Sequence, residues 1–224
     1  MNPTTIFVFD FETTGLPPKN IQLNKQNFER FPRAVQACCL LYNTKTQLVE
    51  DQINEIILLD DTVIISEGAF NVHNISMELS KEKGVDMENI LKKFFTLLKK
   101  ADCVIGHNIE FDSMILKTEI FHHFGNKPKF LKRFFSLIQE KMINHGFCTM
   151  RNTIDLCALE RPSFNGGTFF KFPKLMELHE KLFGTIPENL HDANTDCHVC
   201  LKCYLEIKKT DWENQTHEQE ESLT

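Results

Sequence analysis

Four acidic residues and one histidine, spread over nearly the whole chain, have the types and settings that divalent-cation chemistry requires. Asp10 and Glu12 sit in Phe9-Asp10-Phe11-Glu12-Thr13-Thr14-Gly15-Leu16. Asp112 closes Gly106-His107-Asn108-Ile109-Glu110-Phe111-Asp112, and His191 and Asp196 frame His191-Asp192-Ala193-Asn194-Thr195-Asp196. Each segment puts a carboxylate where an apolar element meets a loop. Gathered together, four carboxylates cannot all stay ionised, because like charges raise one another's pKa. Hard divalent cations with oxygen ligands, Mg²⁺ or Mn²⁺, resolve that conflict. Two such ions about 3.5–4 Å apart can stabilise the attacking and leaving oxygens of a phosphate-ester displacement. A histidine beside them, with an unperturbed pKa of about 6.5, can take a proton from the attacking water near neutral pH.

The elements that must position these groups follow from periodicity. Thr5 to Phe11 is a β-branched and aromatic run and reads as a central strand. Residues two apart share a strand face, so Ile6, Val8, Asp10 and Glu12 point one way and Phe7, Phe9 and Phe11 the other. Residues 34–42 and 47–59 read as second and third strands joined by a turn at 43–46. Asp86 caps a helix whose Met87, Ile90, Leu91, Phe94 and Leu98 fall at helical spacing. Cys103 to Gly106 is a short strand, and a helix carries Asp112 toward His122. Thr153-Ile154-Asp155-Leu156 is expected as a fifth strand. Lys174 to Phe183 is a helix closed by Gly184, and the last helix runs from about Asp192 to about Lys208. The order implies one α/β domain with a mixed sheet.

At this point the sequence resembles the DEDDh, or DnaQ-like, 3′–5′ exonucleases over roughly residues 5–207. Phe-Asp-Phe-Glu-Thr-Thr-Gly-Leu, Gly106 to Asp112 and His191 to Asp196 match its three segments in order. Val72-His73-Asn74-Ile75-Ser76 resembles the family's His-Gly-Ile-Thr element, with Asn74 in place of glycine. The step from His191 to Asp196, with no tyrosine before Asp196, favours the subgroup that uses histidine. The resemblance implies an RNase H-like fold with a mixed five-stranded sheet flanked by helices. It implies two divalent cations held by Asp10, Glu12, Asp112 and Asp196, with His191 as general base. It also implies that the backbone at Thr13 and Thr14 grips the terminal nucleotide, that Leu16 wedges against its base, and that Asn108 positions the substrate or orders the site.

The expected activity is removal of nucleoside 5′-monophosphates from the 3′ end of single-stranded nucleic acid, with DNA favoured over RNA. An RNA-trimming, oligoribonuclease-like enzyme is the alternative. A binding module with a decayed site is disfavoured, since all five candidate residues are retained. A polymerase or another replication or repair protein is the partner class considered, although no partner motif is evident.

The remaining chain supplies context. At 224 residues, 42% hydrophobic and 25% charged, it can bury a core without disulfides or structural metal. Its net charge of −6 announces no global affinity for nucleic acid. The start shows no basic region followed by an apolar run, and no stretch approaches a membrane span. The expectation is an intracellular protein, cytoplasmic or nuclear, not secreted. The eight cysteines then read as reduced, buried thiols, including the helical series Cys197, Cys200 and Cys203.

The domain is taken as residues 1–209, followed by an acidic, disordered tail over 210–224. Within the domain, residues 127–151 read as an insertion carrying six basic residues against one acidic residue, with phenylalanines interleaved. An amphipathic helix with a solvated lysine side is the favoured reading. The alternative makes Lys132 and Arg133 phosphate contacts for single-stranded nucleic acid. His107 is expected to hydrogen-bond beneath the site, His122-His123 to be a solvated helix end, Asp192 a helix cap, and Asp155 a structural carboxylate on its strand.

Overall fold

The computed structural model describes the backbone of residues 3–221 and the side chains of residues 3–209. Three antiparallel strands open the chain: β1 (Thr5–Thr13), β2 (Ala34–Asn43) and β3 (Leu48–Ile56). Helices α1 (Glu67–His73), α2 (Met77–Lys83) and α3 (Met87–Lys100) then lead to β4 (Cys103–Gly106), which pairs parallel to β1. Helices α4 (Ile109–Phe124) and α5 (Pro128–Ile138), with a π-helical stretch Gln139–Asn144, lead to β5 (Phe147–Cys148), parallel to β4. A short α6 (Ile154–Cys157), a hairpin of β6 (Glu160–Pro162) and β7 (Thr168–Phe170), α7 (Leu175–Phe183) and α8 (Ala193–Glu221) complete the chain. The main sheet has the order β3-β2-β1-β4-β5, so the strand carrying Asp10 and Glu12 lies at its centre.

The alternation along β1 divides the core. Phe7, Phe9 and Phe11 pack on one face with Phe94 and Phe95 of α3 and Ile115, Leu116 and Ile120 of α4. Ile6 and Val8 pack on the opposite face against Ala193, Cys197, Cys200 and Leu201 of α8. Asp10 and Glu12 continue the Ile6–Val8 side, so the strand delivers them beneath the start of α8.

Local signals account for several boundaries. Asp86 caps α3 by accepting the Asn89 N–H at 3.1 Å. Asn74 ends α1 in the left-handed region at φ 58°, a conformation that asparagine tolerates better than most residues. That explains how it replaces glycine there. All eight cysteines are free thiols, and all but the half-buried Cys103 are buried.

Four expectations change. Residues 153–156 are not a strand: Thr153 ends a 3₁₀ turn and Ile154–Cys157 is one helical turn closed by Ala158 at φ 48°. Asp155 is exposed on that turn and needs no buried partner. The fifth strand is Phe147–Cys148, so the segment read as an insertion supplies a sheet edge. His122 and His123 are half-buried rather than solvated; His123 lies 3.5 Å from the fully buried Glu119, and His122 meets the Phe28 ring edge-on. Finally, α8 continues past Lys208 to Glu221; the side chains of the acidic tail lie outside the described residues.

Helix α5 is amphipathic as favoured. Phe134 stacks on Phe95 with centroids 4.0 Å apart, Ile138 is buried, and Lys132 and Arg133 are exposed. No helix among the described residues is long and apolar enough to cross a membrane.

Candidate active site

Asp10 and Glu12 stand near the end of β1, and α8 brings Asp196 over them from the first turn. Carboxylate oxygens of these three residues lie within 4.8 Å of one another. The start of α8 is fixed by Gln36, which sits opposite Glu12 on β2. Its amide donates to Asp192 Oδ2 at 3.0 Å and its carbonyl accepts the Ala193 N–H at 3.2 Å. Asp192 in turn accepts the Thr195 N–H at 3.0 Å, so it is the cap expected of it. Lower down the same interface, Cys197 Sγ meets the Cys38 carbonyl at 3.7 Å.

Asp112 reaches the site from the opposite layer. It lies in the first turn of α4, is buried, and accepts the Phe11 N–H on Oδ1 at 3.2 Å. It stands outside the three-carboxylate group but close enough to Asp10 for their charges to interact. Asn108 precedes α4 in the left-handed region at φ 68° and makes no side-chain cap bond. Beneath it, His107 hydrogen-bonds Thr149 Oγ1 at 3.0 Å and the Pro173 carbonyl at 3.1 Å, as its expected supporting role requires. Burial drives the His107 pKa down to about 4, opposed by the Pro173 bond, so the ring is neutral at pH 7.

The electrostatics of the cluster are those of acids forced together. Burial raises Asp10 well above the usual carboxylate range, and Asp112, Asp196 and Glu12 add to the shift. Burial, then Asp196 and Asp192, raise Glu12 to about 8. Burial also raises Asp112, opposed by the N–H groups of Phe11 and of Asp112 itself. Asp196 rises to about 6 through burial, opposed by the His191 N–H and the His191 charge. Asp196 Oδ1 is buried with no hydrogen-bond partner, whereas Oδ2 accepts the His191 N–H at 3.3 Å. An orphaned buried oxygen within an all-oxygen donor set fits a hard divalent cation. His191 itself is exposed, at φ 71°, immediately before the helix that carries Asp196.

Beside Glu12 opens a pocket of about 590 Å³ lined mainly by apolar groups, among them Phe11, Leu16, Val72 and Phe111. Leu16 is 87% exposed at its side. Thr13 and Thr14 are buried and stiffened. Thr13 Oγ1 donates to the Gly15 carbonyl at 2.9 Å, and its carbonyl meets His73 Nε2 at 3.1 Å. Thr14 and Arg33 clasp each other: the Thr14 N–H donates to the Arg33 carbonyl at 2.9 Å and the Arg33 N–H to Thr14 Oγ1 at 3.0 Å. The Thr14 N–H is therefore already engaged. His73, which the sequence marks only through its place in the His-Asn-Ile-Ser element, lines this pocket. Lys132 and Arg133 are not among the pocket-lining residues.

Residues 7–204 match the RNase T exonuclease family. No curated protein matches the sequence. Among solved structures, exonuclease I superposes with a TM-score of 0.65 at 17% identity, covering 92% of this chain and 41% of that one. E. coli exonuclease I in complex with a dA16 oligonucleotide gives 0.63 at 16% identity, covering 92% and 41%. The same enzyme with a dT13 oligonucleotide gives 0.65 at 16%, covering 96% and 43%. The chain thus spans about two fifths of the length of these neighbours, and the likeness at this identity concerns the fold. With its family match over nearly the whole domain and its mixed five-stranded sheet, the chain belongs to the RNase T exonuclease family, on an RNase H-like fold.

Proposed function

We propose that the protein is a two-metal 3′–5′ exonuclease that removes nucleoside 5′-monophosphates from single-stranded nucleic acid, preferentially DNA. The observation that carries the reading is the convergence of Asp10, Glu12 and Asp196 oxygens within 4.8 Å, with Asp196 Oδ1 left unpartnered. Asp10, Glu12 and Asp196, with Asp112 from the other layer, would hold two Mg²⁺ or Mn²⁺ ions. When bound, the ions would offset charge on the attacking and leaving oxygens.

The chain's own residues supply the rest. The apolar pocket takes the terminal base, with Leu16 against its face, while Thr13 and Thr14, fixed by His73, Ser66 and Arg33, keep the pocket edge in place beside Glu12. Asn108, at the turn into α4, orders the substrate side of the site. His191 stands at the solvent edge beside Asp196, where its imidazole can accept a proton from the attacking water. The water oxygen bonds to phosphorus as the bond to the upstream 3′ oxygen breaks, releasing the terminal nucleoside 5′-monophosphate. The DNA oligonucleotides held by E. coli exonuclease I support DNA as substrate.

The test incubates purified protein with 5′-labelled single-stranded DNA and RNA of equal sequence, with Mg²⁺, Mn²⁺ or EDTA. A ladder shortening from the 3′ end, mononucleotide products and full EDTA inhibition are expected, with DNA degraded faster. Endonucleolytic fragments, or digestion undiminished in EDTA, would contradict the reading. Faster digestion of RNA would move the enzyme to the RNA-trimming class.

A further inference from the structure

The β6–β7 hairpin is an addition that no core requires. Its two strands pair only with each other, with Arg161 opposite Phe169 and Glu160 opposite Phe170. A two-stranded hairpin on its own is marginally stable in water, and a large exposed apolar patch calls for an explanation. Here Phe164 at the turn is fully exposed, and Phe169, Phe170 and Phe172 are each about half exposed. None of the four belongs to a hydrophobic cluster of the fold.

The hairpin is tied to the rim of the catalytic crevice. Residue 173, just after Phe172, is held by His107 at 3.1 Å, one residue from Asn108. The Arg151 guanidinium lies 5.7 Å from the Phe172 ring centroid and pairs with Glu110, in the same helical turn as Asp112. The exposed aromatics therefore continue from the mouth of the site. Arg161 and Lys174 add exposed positive charge along them, and Arg161 shares a hairpin face with Phe169.

We propose that Phe164, Phe169 and Phe172, with Arg161, form a stacking rail for the single strand upstream of the 3′ terminal nucleotide. Aromatic faces accept any base, and neighbouring cations follow the phosphates, so the rail binds without reading sequence. It rests on the reading of the crevice as a site for single-stranded nucleic acid, and it makes that site length-dependent: a dinucleotide ends before the rail, while a longer strand lies along it. The charge argues for nucleic acid over a protein partner, since the cations sit among the aromatics and next to the substrate entrance.

The test measures affinity without catalysis, by fluorescence anisotropy of end-labelled single-stranded 20-mers in EDTA. It is paired with steady-state kinetics in Mn²⁺ on a 20-mer and on a dinucleotide. The F164A/F169A/F172A variant should lose roughly tenfold or more in affinity for the 20-mer. Its KM for the 20-mer should rise in step, with kcat and dinucleotide hydrolysis unchanged. Phe169→Trp should keep affinity, whereas Phe169→Leu, which is apolar but lacks a π face, should lose it. Weakened anisotropy binding in a protein that hydrolyses nothing would uphold the rail while removing the nuclease reading. Unchanged 20-mer affinity in the triple variant overturns the rail and leaves the aromatics to a protein surface. Equal losses on the dinucleotide overturn it as well, because the effect would then lie in the crevice.

Discussion

Asp112 Oδ1 accepts the Phe11 main-chain N–H at 3.2 Å, joining the first turn of α4 to the strand that places Asp10 and Glu12. Phe11 lies between those two acids, so this bond sets the spacing of carboxylates from both layers of the fold. Asp112→Asn keeps an oxygen that can accept the N–H but removes the charge. It should fold normally, lose activity by about 10²-fold or more, and bind Mn²⁺ more weakly in calorimetry. Asp112→Ala should in addition lower the melting temperature, because a buried N–H is left without a partner.

Asp10 sits in the most crowded part of the acid cluster, and its removal should separate stability from function. A carboxyl whose folded pKa is raised stabilises the fold below its unfolded pKa, and that contribution is lost as pH rises through the folded value. The metal-free protein should therefore lose stability as pH rises above about 4, with the Glu12 contribution lost through about pH 8. Asp10→Asn should melt higher than the parent in EDTA at pH 7.5 and be inactive. Calorimetric scans with and without EDTA check both halves, and a lower melting temperature in EDTA would contradict the argument.

Metal binding should displace protons. With Glu12 raised to about 8 and Asp196 to about 6, part of the cluster is protonated at pH 7 when no cation is present. Cation affinity should rise from pH 6 to pH 8 as those protons leave. Titration calorimetry in buffers of different ionisation enthalpy should show net proton release that shrinks above pH 8. At a hundredfold excess over Kd, the bound ion should add about 2.7 kcal/mol of stability.

His191 meets Asp196 through its main chain, and its ring is exposed. His191→Ala should therefore lower kcat by about 10²–10⁴-fold while cation affinity changes little. The pH–rate profile of the variant should also lose the rising limb attributed to the base. An unchanged profile in His191→Ala removes the ring from proton transfer.

Glu119 carries the clearest stability prediction. Burial opposes its ionisation, but His123, the Arg33 guanidinium and the Ala34 N–H outweigh that opposition and bring it down to about 2. Arg33 grips it with Nε and Nη2, each at 2.9 Å. A depressed carboxyl stabilises the fold above its unfolded pKa and loses that contribution as pH falls toward 2. Glu119→Gln should cost about 3–5 kcal/mol at pH 7, since it strands the Arg33 charge. The difference from the parent in urea unfolding should narrow below pH 4.

Much of the site is legible in the sequence because it rests on strong periodicities. Alternation along Thr5–Thr13 places Asp10 and Glu12 on the side that α8 covers, and helical phase puts Asp112 in a first turn. The fifth strand is not legible because Phe147–Cys148 is too short to show a period, while the β-branched Thr153 and Ile154 belong to helical turns instead. The hairpin escapes for a related reason: it is closed by local pairing rather than by burial. Its one signal is Gly166-Gly167, both at positive φ, between the aromatic stretches. His122 and His123 depart from expectation because their neighbours come from afar: His122 meets the Phe28 ring, and the Glu119 carboxylate beside His123 takes Arg33 as partner only when the chain folds back from far upstream.

The mutual clasp of Thr14 and Arg33 closes the intervening chain into a loop whose two stems are pinned together. Between Leu16 at the pocket and Phe28, which packs on Phe121 and His122, residues 18–27 can change in length and sequence without pulling on β1. Variation that the fold tolerates, in nature or by grafting, would concentrate there.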